Sequence, residues 1–591
     1  MLKERKDVEE RLKWKTSDIF KSEQEWEDLF ALCETKLDFS RYEGKLGDAD
    51  TLLECFQKLN ELVADLLKLN VYAAMKQDED TRDAKYTALL SRLGTLSMKF
   101  SLNTSFINPE LSALPTQTLE GFAKDPKFAD YDYTLRLIIK EKPHVLDKNT
   151  EALLSQGAKV FSGYRQVFNM LDNADFPYPT VTVDGEKVTV SHGTFGLLLR
   201  HKNRSVRKNV FKSYYKAYMG LINTITATYV GHVEKNVFLT RARGYESTLQ
   251  SALFGEDVEV KVYENLLDSV NKALPLLHRY FADRKKLMGY KELHMYDIHT
   301  PLVEDAEIKV PYDEAFNIVK EGLAPLGEEY SLLLQKAHDE GWIDVEETAG
   351  KRSGAYSISS WGLAHPYVLL NYQQTTNDIF TIAHELGHAM HSYFSERNQP
   401  QEKSGYTIFV AEVASTVNEI LLIKHLLAKT QDKKLKKYLL SYYIDTLKGT
   451  LFRQTQFAEF EYIAHDMAEK GIPLTKDALC EKYLELNEKY YGEAVVSDRE
   501  IAYEWARIPH FYRSFYVYKY ATGIISAVSI AERILREGEE AVKDYFKFLS
   551  SGGSDSPVEL LKLAGVDLTE ADAFDTCMES FKSALEEFER L

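Results

Sequence analysis

The sequence predicts a mainly α-helical protein that contains one small β-sheet. Glycine and proline are scarce, at 30 and 15 of 591 residues, so little interrupts long helices. Through long stretches the apolar residues recur at intervals of three and four, which is the periodicity of an amphipathic helix. Short alternating runs of β-branched residues occur in only a few places, so we expect little strand.

The first region, from Glu23 to about Lys142, has helical periodicity almost throughout, and we predict antiparallel helices there. The first strand pattern is at residues 180–190, where two alternating runs flank Asp184-Gly185 and predict a β-hairpin. We place a domain boundary after this hairpin. The predicted domains are an N-terminal helical region at residues 1–195 and a second domain at residues 196–591.

Three further segments read as extended chain, at residues 295–302, 342–345 and 367–372. Helical periodicity covers most of the remaining sequence, including nearly everything after Ile408. The last two extended segments come shortly before an apolar helical run centred on residue 384. We therefore predict that the small sheet lies beside that helix.

Composition excludes several classes of protein. The formal net charge is −18, from 91 acidic and 73 basic residues, which argues against a nucleic-acid-binding protein. No run approaches the roughly 18 apolar residues of a membrane span. Four scattered cysteines lack Cys-x-x-Cys spacing, and the charged N-terminus lacks the apolar core of a signal peptide. We expect reduced thiols and a cytoplasmic location.

The apolar run at residues 379–394 contains the motif His-Glu-x-x-His at residues 384–388. His384 and His388 lie four residues apart, so both imidazoles project from one helix face. The preferred interpretation is one catalytic zinc ion with two histidine ligands and Glu385 beside the zinc-bound water. On these five residues alone, a pair of core histidines bonded to backbone carbonyls is the alternative.

A catalytic zinc site needs a third protein ligand. A polar loop at residues 395–405 separates the motif from a second apolar helical run at residues 410–422. Helices joined by a short loop pack antiparallel, so an early residue of the second faces a late part of the first. We assign Glu412 as the third ligand and expect Glu419 to orient a ligand histidine. The alternative for Glu412 is a carboxylate favoured by the helix dipole.

Two further predictions concern residues outside the ligand set. His391, one turn beyond His388, is expected to hydrogen-bond either to the groups around the metal ligands or within the core, rather than to bind metal. Tyr512, Tyr516 and Tyr520 lie four apart, with His510 just ahead, and form one stripe of a predicted helix. Zinc alone rarely stabilises an oxyanion fully, so these side chains are candidate donors, and a core role is their alternative.

Taken together, these segments resemble the oligoendopeptidase F group of zinc metallopeptidases, which is related to thimet oligopeptidase. The resemblance extends over roughly residues 200–590, and the stretches that carry it are residues 365–372, 378–391, 409–416 and 509–523. It implies a two-lobed helical enzyme with zinc in a deep substrate channel that admits short unfolded peptides.

The resemblance also implies roles for individual residues. The implied zinc ligands are His384, His388 and Glu412, with Glu385 as general base. The family's transition-state side chains correspond to His510, Tyr516 and Tyr520, although the glycine-rich loop of the thimet branch is missing between the histidine and the first tyrosine. Residues 365–372 would form an edge strand that pairs with the substrate backbone.

The sequence therefore predicts a zinc-dependent oligoendopeptidase that hydrolyses internal bonds of short peptides, with no nucleic-acid or membrane partner. A zinc exopeptidase, of the carboxypeptidase or dipeptidyl carboxypeptidase type, is one alternative because it can use the same metal site. A helical peptide-binding protein without catalysis is the other alternative.

Overall fold

The computed structural model describes residues 2–303 and 308–591, and within them α-helices predominate, as predicted. The α-helices are α1 (Glu23–Thr35), α2 (Ala49–Glu79), α3 (Ala84–Thr104), α4 (Ile107–Ala113), α5 (Thr116–Lys124), α6 (Asp132–Glu141), α7 (Lys148–Asn169), α8 (His192–Leu198), α9 (Arg204–Ala242), α10 (Thr248–Phe254), α11 (Val260–Leu287), α12 (Tyr312–Gly322), α13 (Glu328–Asp339), α14 (Thr376–Asn398), α15 (Gln401–Ser404), α16 (Ile408–Lys429), α17 (Lys433–Leu447), α18 (Arg453–Glu469), α19 (Lys476–Tyr491), α20 (Tyr518–Glu537), α21 (Glu539–Leu549), α22 (Pro557–Leu563) and α23 (Asp572–Arg590). In the described ranges, none of these helices combines the length and apolarity needed to cross a membrane.

The β-structure is short and scattered. The strands are β1 (Thr180–Val183), β2 (Glu186–Thr189), β3 (Leu293–His294), β4 (Ile343–Asp344), β5 (Tyr356–Ile358), β6 (Tyr367–Leu369) and β7 (Val495–Val496). They form an antiparallel β1–β2 hairpin, a parallel β3–β7 pair and a three-stranded sheet in the order β4–β6–β5.

The N-terminal helices follow from local sequence. The side chains of Ser22, Asp48 and Asp83 accept hydrogen bonds from the first-turn amides of α1, α2 and α3, so each helix begins at a capped end. Their apolar faces meet in one buried cluster that includes Trp26 and Leu62. The predicted helical region at residues 23–142 is confirmed.

The chain separates into two compact units, each built from segments that are distant in sequence. The first unit contains Met1–Val145, Glu307–Ala428 and Ile530–Val566, and the second contains Leu146–Ala306, Lys429–Ser529 and Asp567–Leu591. The chain leaves and re-enters each unit. The division of the sequence at residue 195 stays a prediction.

In the first unit, the three-stranded sheet lies beside α14, as predicted. β6 pairs with β4 in parallel and with β5 in antiparallel register, so it is the central strand. The prediction that residues 365–372 form an edge strand is therefore wrong. The N-terminal segment lies along β4, where the Val345 amide donates to the Leu12 carbonyl at 2.9 Å, and β5 forms the other edge.

In the second unit, the hairpin prediction is confirmed. Asp184 and Gly185 form its turn with φ of 48° and 92°, the left-handed conformation that such two-residue turns require. The prediction of extended chain at residues 295–302 is wrong. Residues 295–297 form a 3-10 turn, because the carboxylate of Asp297 accepts a hydrogen bond from the His294 amide at 3.1 Å and curls the chain.

Candidate metal centre

Helix α14 carries the His-Glu-x-x-His motif. A capping box starts this helix, since Thr375 Oγ1 accepts from the Asp378 amide and Asp378 Oδ2 accepts from the Thr375 amide. Apolar residues on nearly every side of α14 are buried, as expected for a helix that is packed all round. The rings of His384 and His388 lie on one face with centroids 4.8 Å apart.

Gly387 explains how a second helix comes close to this face. A Cβ atom at Gly387 would lie 2.5 Å from Ser415 Cα and 2.7 Å from the Ala414 carbonyl oxygen. Only glycine therefore permits α16 to approach α14 so closely at this point. Asn418, fully buried, also joins the helices by donating to the Ala383 carbonyl at 3.0 Å.

This approach brings Glu412 to the two histidines. Glu412 Oε2 lies 3.4 Å from His384 Nε2 and 3.4 Å from His388 Nε2, and the two Nε2 atoms lie 3.2 Å apart. The potential ligand atoms of all three residues lie within 4.8 Å of one another. The earlier histidine, His384, contacts the later glutamate, Glu419, and the later histidine, His388, contacts the earlier glutamate, Glu412. The two helices are therefore antiparallel, as predicted.

The chemistry of this donor set fits a divalent metal ion. His384 Nδ1–H donates to Glu419 Oε1 at 2.5 Å, so Nε2 is the ring nitrogen that faces His388 and Glu412. Two imidazoles and one carboxylate form a ligand set typical of catalytic zinc. Burial would lower the pKa of His384, but hydrogen bonds to Glu412 and Glu419 raise it to about 10. Hydrogen bonds from the two histidines lower the pKa of Glu412.

Substitution of Glu419 tests its support of His384. We expect Glu419→Gln to weaken metal binding by roughly 10–100-fold, because an amide holds the Nδ1–H tautomer less firmly than a carboxylate. The measurement is a competitive zinc titration against a chromophoric chelator. The matched control is Glu340→Gln, an exposed carboxylate paired with Lys336, which should leave the zinc affinity unchanged. Equal affinities in both variants would contradict the supporting role.

Substitution of Gly387 tests the close approach of the helices. We expect Gly387→Ala to lower the free energy of unfolding by about 1–3 kcal/mol, because the added methyl group meets backbone atoms that must shift. It should also weaken zinc binding by moving Glu412. Urea denaturation and zinc titration measure the two effects. Gly94→Ala in α3 is the control, since its Cβ meets nothing within 4 Å and we expect slight stabilisation.

Glu385 is buried next to the ligand cluster, with 6% of its surface exposed. Burial raises its pKa, and the charges of His384 and His388 partly offset this effect. A carboxylate with a raised pKa binds a proton more strongly than an exposed glutamate does, which suits a proton carrier.

His391 differs from the expectation that it hydrogen-bonds around the metal ligands or in the core. Its ring is fully buried and stacks on Tyr406 with centroids 3.8 Å apart, and neither ring nitrogen has a hydrogen-bond partner among residues 2–303 and 308–591. Burial lowers the pKa of His391 to about 3. The residue is a neutral stacking partner beneath the motif.

His510, Tyr516 and Tyr520 come together in the second unit. The ring centroids of His510 lie 6.0 Å from Tyr516 and 5.9 Å from Tyr520, and the tyrosine rings lie 5.5 Å apart. The Tyr520 hydroxyl lies 3.4 Å from His510 Nε2. Burial, followed by the charge of Arg513, lowers the pKa of His510. We call these three residues the aromatic triad.

The predicted helical stripe through Tyr512 is wrong. The chain forms a 3-10 turn at Pro509–Tyr512, reverses at Phe515 with φ of 52°, and becomes α-helical only at Tyr518. Tyr512 is instead a core residue, stacked on Phe168 and bonded to Thr228 Oγ1 at 2.8 Å.

Sequence reasoning missed the buried polar groups that support this turn. Glu461 Oε1 accepts from the Phe515 amide at 2.8 Å, and Asn236 Nδ2 lies 2.6 Å from Ser514 Oγ and 3.0 Å from His465 Nε2. Burial raises the pKa of Glu461 well above its ordinary value. Asn236 lies in α9, whereas Glu461 and His465 lie in α18, so no spacing in the sequence indicates that these two helices bring their polar groups to the same turn.

Comparisons with known proteins place the chain in a peptidase family. Residues 197–580 match the model of peptidase family M3, and residues 110–178 match the model of oligopeptidase F. Oligopeptidase PepF of Bacillus subtilis is 41% identical over 100% of this chain and 88% of its own length. Group B oligopeptidase PepB of Streptococcus agalactiae is 40% identical over 99% of this chain and 98% of its own.

A solved structure leads to the same group. The crystal structure of oligoendopeptidase-F from Enterococcus faecium superposes with a TM-score of 0.73 at 35% identity, covering 96% of this chain and 98% of that one. The family match covers well over half of the chain, and the relatives match along almost all of it. The chain therefore belongs to peptidase family M3, and within it this protein is a metalloendopeptidase of the oligoendopeptidase F group.

Proposed function

We propose that this protein is a zinc-dependent oligoendopeptidase that hydrolyses internal bonds of short unfolded peptides. The observation that carries the proposal is the convergence of His384 Nε2, His388 Nε2 and a Glu412 carboxylate oxygen beside the buried Glu385. Chance pairs of core histidines do not bring a third ligand and a supporting carboxylate to the same point.

In this proposal His384, His388 and Glu412 hold one zinc ion. When bound, such an ion supplies Lewis acidity toward water and toward the scissile carbonyl. The carboxylate of Glu385 takes a proton from the attacking water and delivers it to the leaving amine. Its raised pKa favours this role, because the carboxyl group holds the proton until the amine nitrogen accepts it.

The aromatic triad supplies hydrogen-bond donors in the same reaction. Addition of water to a peptide carbonyl places negative charge on its oxygen, and donors aimed at that oxygen stabilise the transition state. The hydroxyls of Tyr516 and Tyr520 are proposed donors. His510 has a lowered pKa, so it is neutral near pH 7, and its contact with the Tyr520 hydroxyl makes it a partner for that group.

Removal of the tyrosine hydroxyls tests the donor role. We expect Tyr516→Phe or Tyr520→Phe to lower kcat by roughly 10²-fold, as for the loss of one oxyanion donor, with zinc content unchanged. Tyr512→Phe is the control, because its hydroxyl bonds Thr228 in the core and kcat should stay within a few-fold of wild type. Steady-state kinetics and metal analysis measure both quantities. An unchanged kcat in both test variants would contradict the donor role and would indicate that these tyrosines have a structural role.

The substrate backbone is proposed to pair with β5. The β-augmentation expected of residues 365–372 needs an open edge, and β6 is covered on both sides. β5 is the sheet edge opposite β4, and it also contacts α14, which carries the motif. Pairing through backbone groups would make binding tolerant of substrate side chains.

A cytoplasmic location and the absence of a nucleic-acid partner are further parts of the proposal. Cys33 and Cys55 are buried, and burial raises the pKa of Cys55 to about 11, which is typical of unreactive reduced thiols. The net charge of −18 disfavours binding to a phosphate backbone.

The direct test uses an internally quenched peptide of about ten residues, blocked at both ends, with and without a zinc chelator. Cleavage that the chelator abolishes and zinc restores is the expected result, since blocked termini exclude most exopeptidases. Cleavage only of unblocked peptides, with terminal fragments as the only products, would favour an exopeptidase. Bound zinc without hydrolysis of either kind of peptide would favour a non-catalytic peptide-binding protein.

A further inference from the structure

A cavity of about 360 Å³ lies wholly within the second unit, and the mechanism above assigns it no role. Its lining includes Arg200, His299, Asp445, Lys448 and Arg453. The His299 side chain is accessible to solvent although protein atoms surround it, because its accessible surface faces this cavity. The cavity is therefore a partly open pocket in which four of the sixteen lining residues, Arg200, Asp445, Lys448 and Arg453, carry a charge.

Positive charge exceeds negative charge along this wall. Lys448 Nζ pairs with Asp445 Oδ1 at 2.6 Å, and Arg453 Nη2 pairs with Glu504 Oε1 at 2.5 Å. Arg507 shares that Glu504 oxygen at 2.7 Å, so one carboxylate serves two guanidinium groups.

Two more cations add to the excess. Arg284, fully buried, donates to the carbonyl oxygens of Asp297 and Thr300 and to the Tyr280 hydroxyl, which are neutral acceptors. Arg200 adds an exposed guanidinium at the cavity wall. Among the described residues, the group thus holds five cations, Arg200, Arg284, Lys448, Arg453 and Arg507, and two carboxylates, Asp445 and Glu504.

The excess of positive charge matters because a buried charged group without an opposite charge nearby lowers the stability of the folded protein. In a chain of net charge −18, a cationic cavity does not follow from composition. The charges of Lys448 and Arg453 add to the effect of the surrounding protein in lowering the pKa of His299.

The backbone is irregular at the same place. A π-helical turn spans Lys448–Phe452 between α17 and α18, and such turns are often found at functional sites. The turn begins at Lys448 and includes Gly449, both of which line the cavity. A Cβ atom at Gly449 would meet nothing within 4 Å, so the space beside this turn is open.

We propose that this cavity binds a small oxyanion, a carboxylate or an inorganic phosphate, held by Arg200, Lys448 and Arg453. Guanidinium groups offer forked donors that match the oxygens of such anions, and lysine adds a point charge. The site lies outside the metal-binding residues, so occupancy can be measured without peptidase activity.

The test measures the melting temperature of the full chain against phosphate concentration at constant ionic strength. We expect a saturable rise in wild type, and a half-saturating concentration roughly tenfold higher in Arg200→Gln, which loses one charge-assisted contact. Arg41→Gln, an exposed arginine of the first unit, is the control and should match wild type. An equal, non-saturating response in all three proteins would be a general salt effect and would overturn the proposal.

A matched pair at Gly449 provides a second measurement that does not depend on adding an anion. Gly449→Glu and Gly449→Gln place side chains of equal size beside the cavity, but only glutamate brings its own carboxylate. We expect both variants to lose the phosphate response and the glutamate variant to melt at the higher temperature at pH 7. A glutamate variant no more stable than the glutamine variant would contradict a need for an anion.

Two further arms separate the possible sources of the anion. A response to a dipeptide with a free carboxyl group, and none to its amide or to phosphate, would assign the pocket to a peptide carboxyl terminus. A response to phosphate as well would assign it to small oxyanions in general.

Glu304 and Asp305 follow Val303 in the sequence and lie outside the described residues. If phosphate binds only after the substitutions Glu304→Gln and Asp305→Asn, then carboxylates of the chain itself neutralise the pocket in the wild-type protein. That result would overturn the proposal.

Discussion

Glu385→Gln is expected to lower kcat by about 10²–10⁴-fold while zinc remains bound. Glutamine keeps the size and most of the packing of the buried side chain, but it cannot accept the proton of the attacking water. The ligand cluster consists of His384, His388 and Glu412, so the substitution leaves all three potential zinc ligands in place. Cleavage of a blocked, internally quenched peptide, together with zinc analysis of the same sample, measures both quantities.

The control for this substitution lies on the same helix. Glu396 is a second carboxyl group of α14 whose pKa burial raises, to about 7, and it accepts a hydrogen bond from Ser359 Oγ at 2.7 Å. Glu396→Gln makes the same chemical change three turns away from Glu385 and should leave kcat nearly unchanged. Similar losses in both variants would mean that buried charge on α14 matters for stability rather than for proton transfer. An active, zinc-loaded Glu385→Gln protein would refute the proposed base.

Sequence reasoning succeeded where neighbouring residues decide the structure. The hairpin at Asp184-Gly185 depends on two residues with positive φ, and α14 depends on one apolar run and one cap. The meeting of Glu412 with the histidines could also be predicted, because a short loop between two helices restricts which residues face each other. These features need information from about forty consecutive residues.

It failed where distant segments decide the structure. β6 is central rather than at an edge because β5, which has no strong strand pattern, pairs with it. The stripe through Tyr512, Tyr516 and Tyr520 is broken because Glu461, some fifty residues earlier, holds the Phe515 amide in a reversal of the chain. Helical spacing alone could not exclude a continuous helix, since the residues that interrupt it lie elsewhere in the sequence.

Glu412→Gln is expected to have an even larger effect on metal binding than the loss of an outer partner such as Glu419. The carboxylate of Glu412 supplies the negative charge of the ligand set and lies 3.4 Å from each Nε2 atom. Its loss should weaken zinc binding by more than the roughly 10–100-fold expected for Glu419→Gln. Activity at ordinary zinc concentrations should fall close to background.

Zinc titration of the two variants distinguishes a ligand from a supporting residue. Metal binding follows mass action, so excess zinc should reload Glu419→Gln and restore most of its kcat. The Glu412→Gln protein should stay impaired even when zinc analysis shows one bound ion, because its ligand set has lost a charge that the reaction uses. Gly94→Ala, a change on the exposed surface of α3, should titrate like wild type. Full recovery of Glu412→Gln at high zinc would show that Glu412 only strengthens binding, and the third ligand would then have to be sought elsewhere.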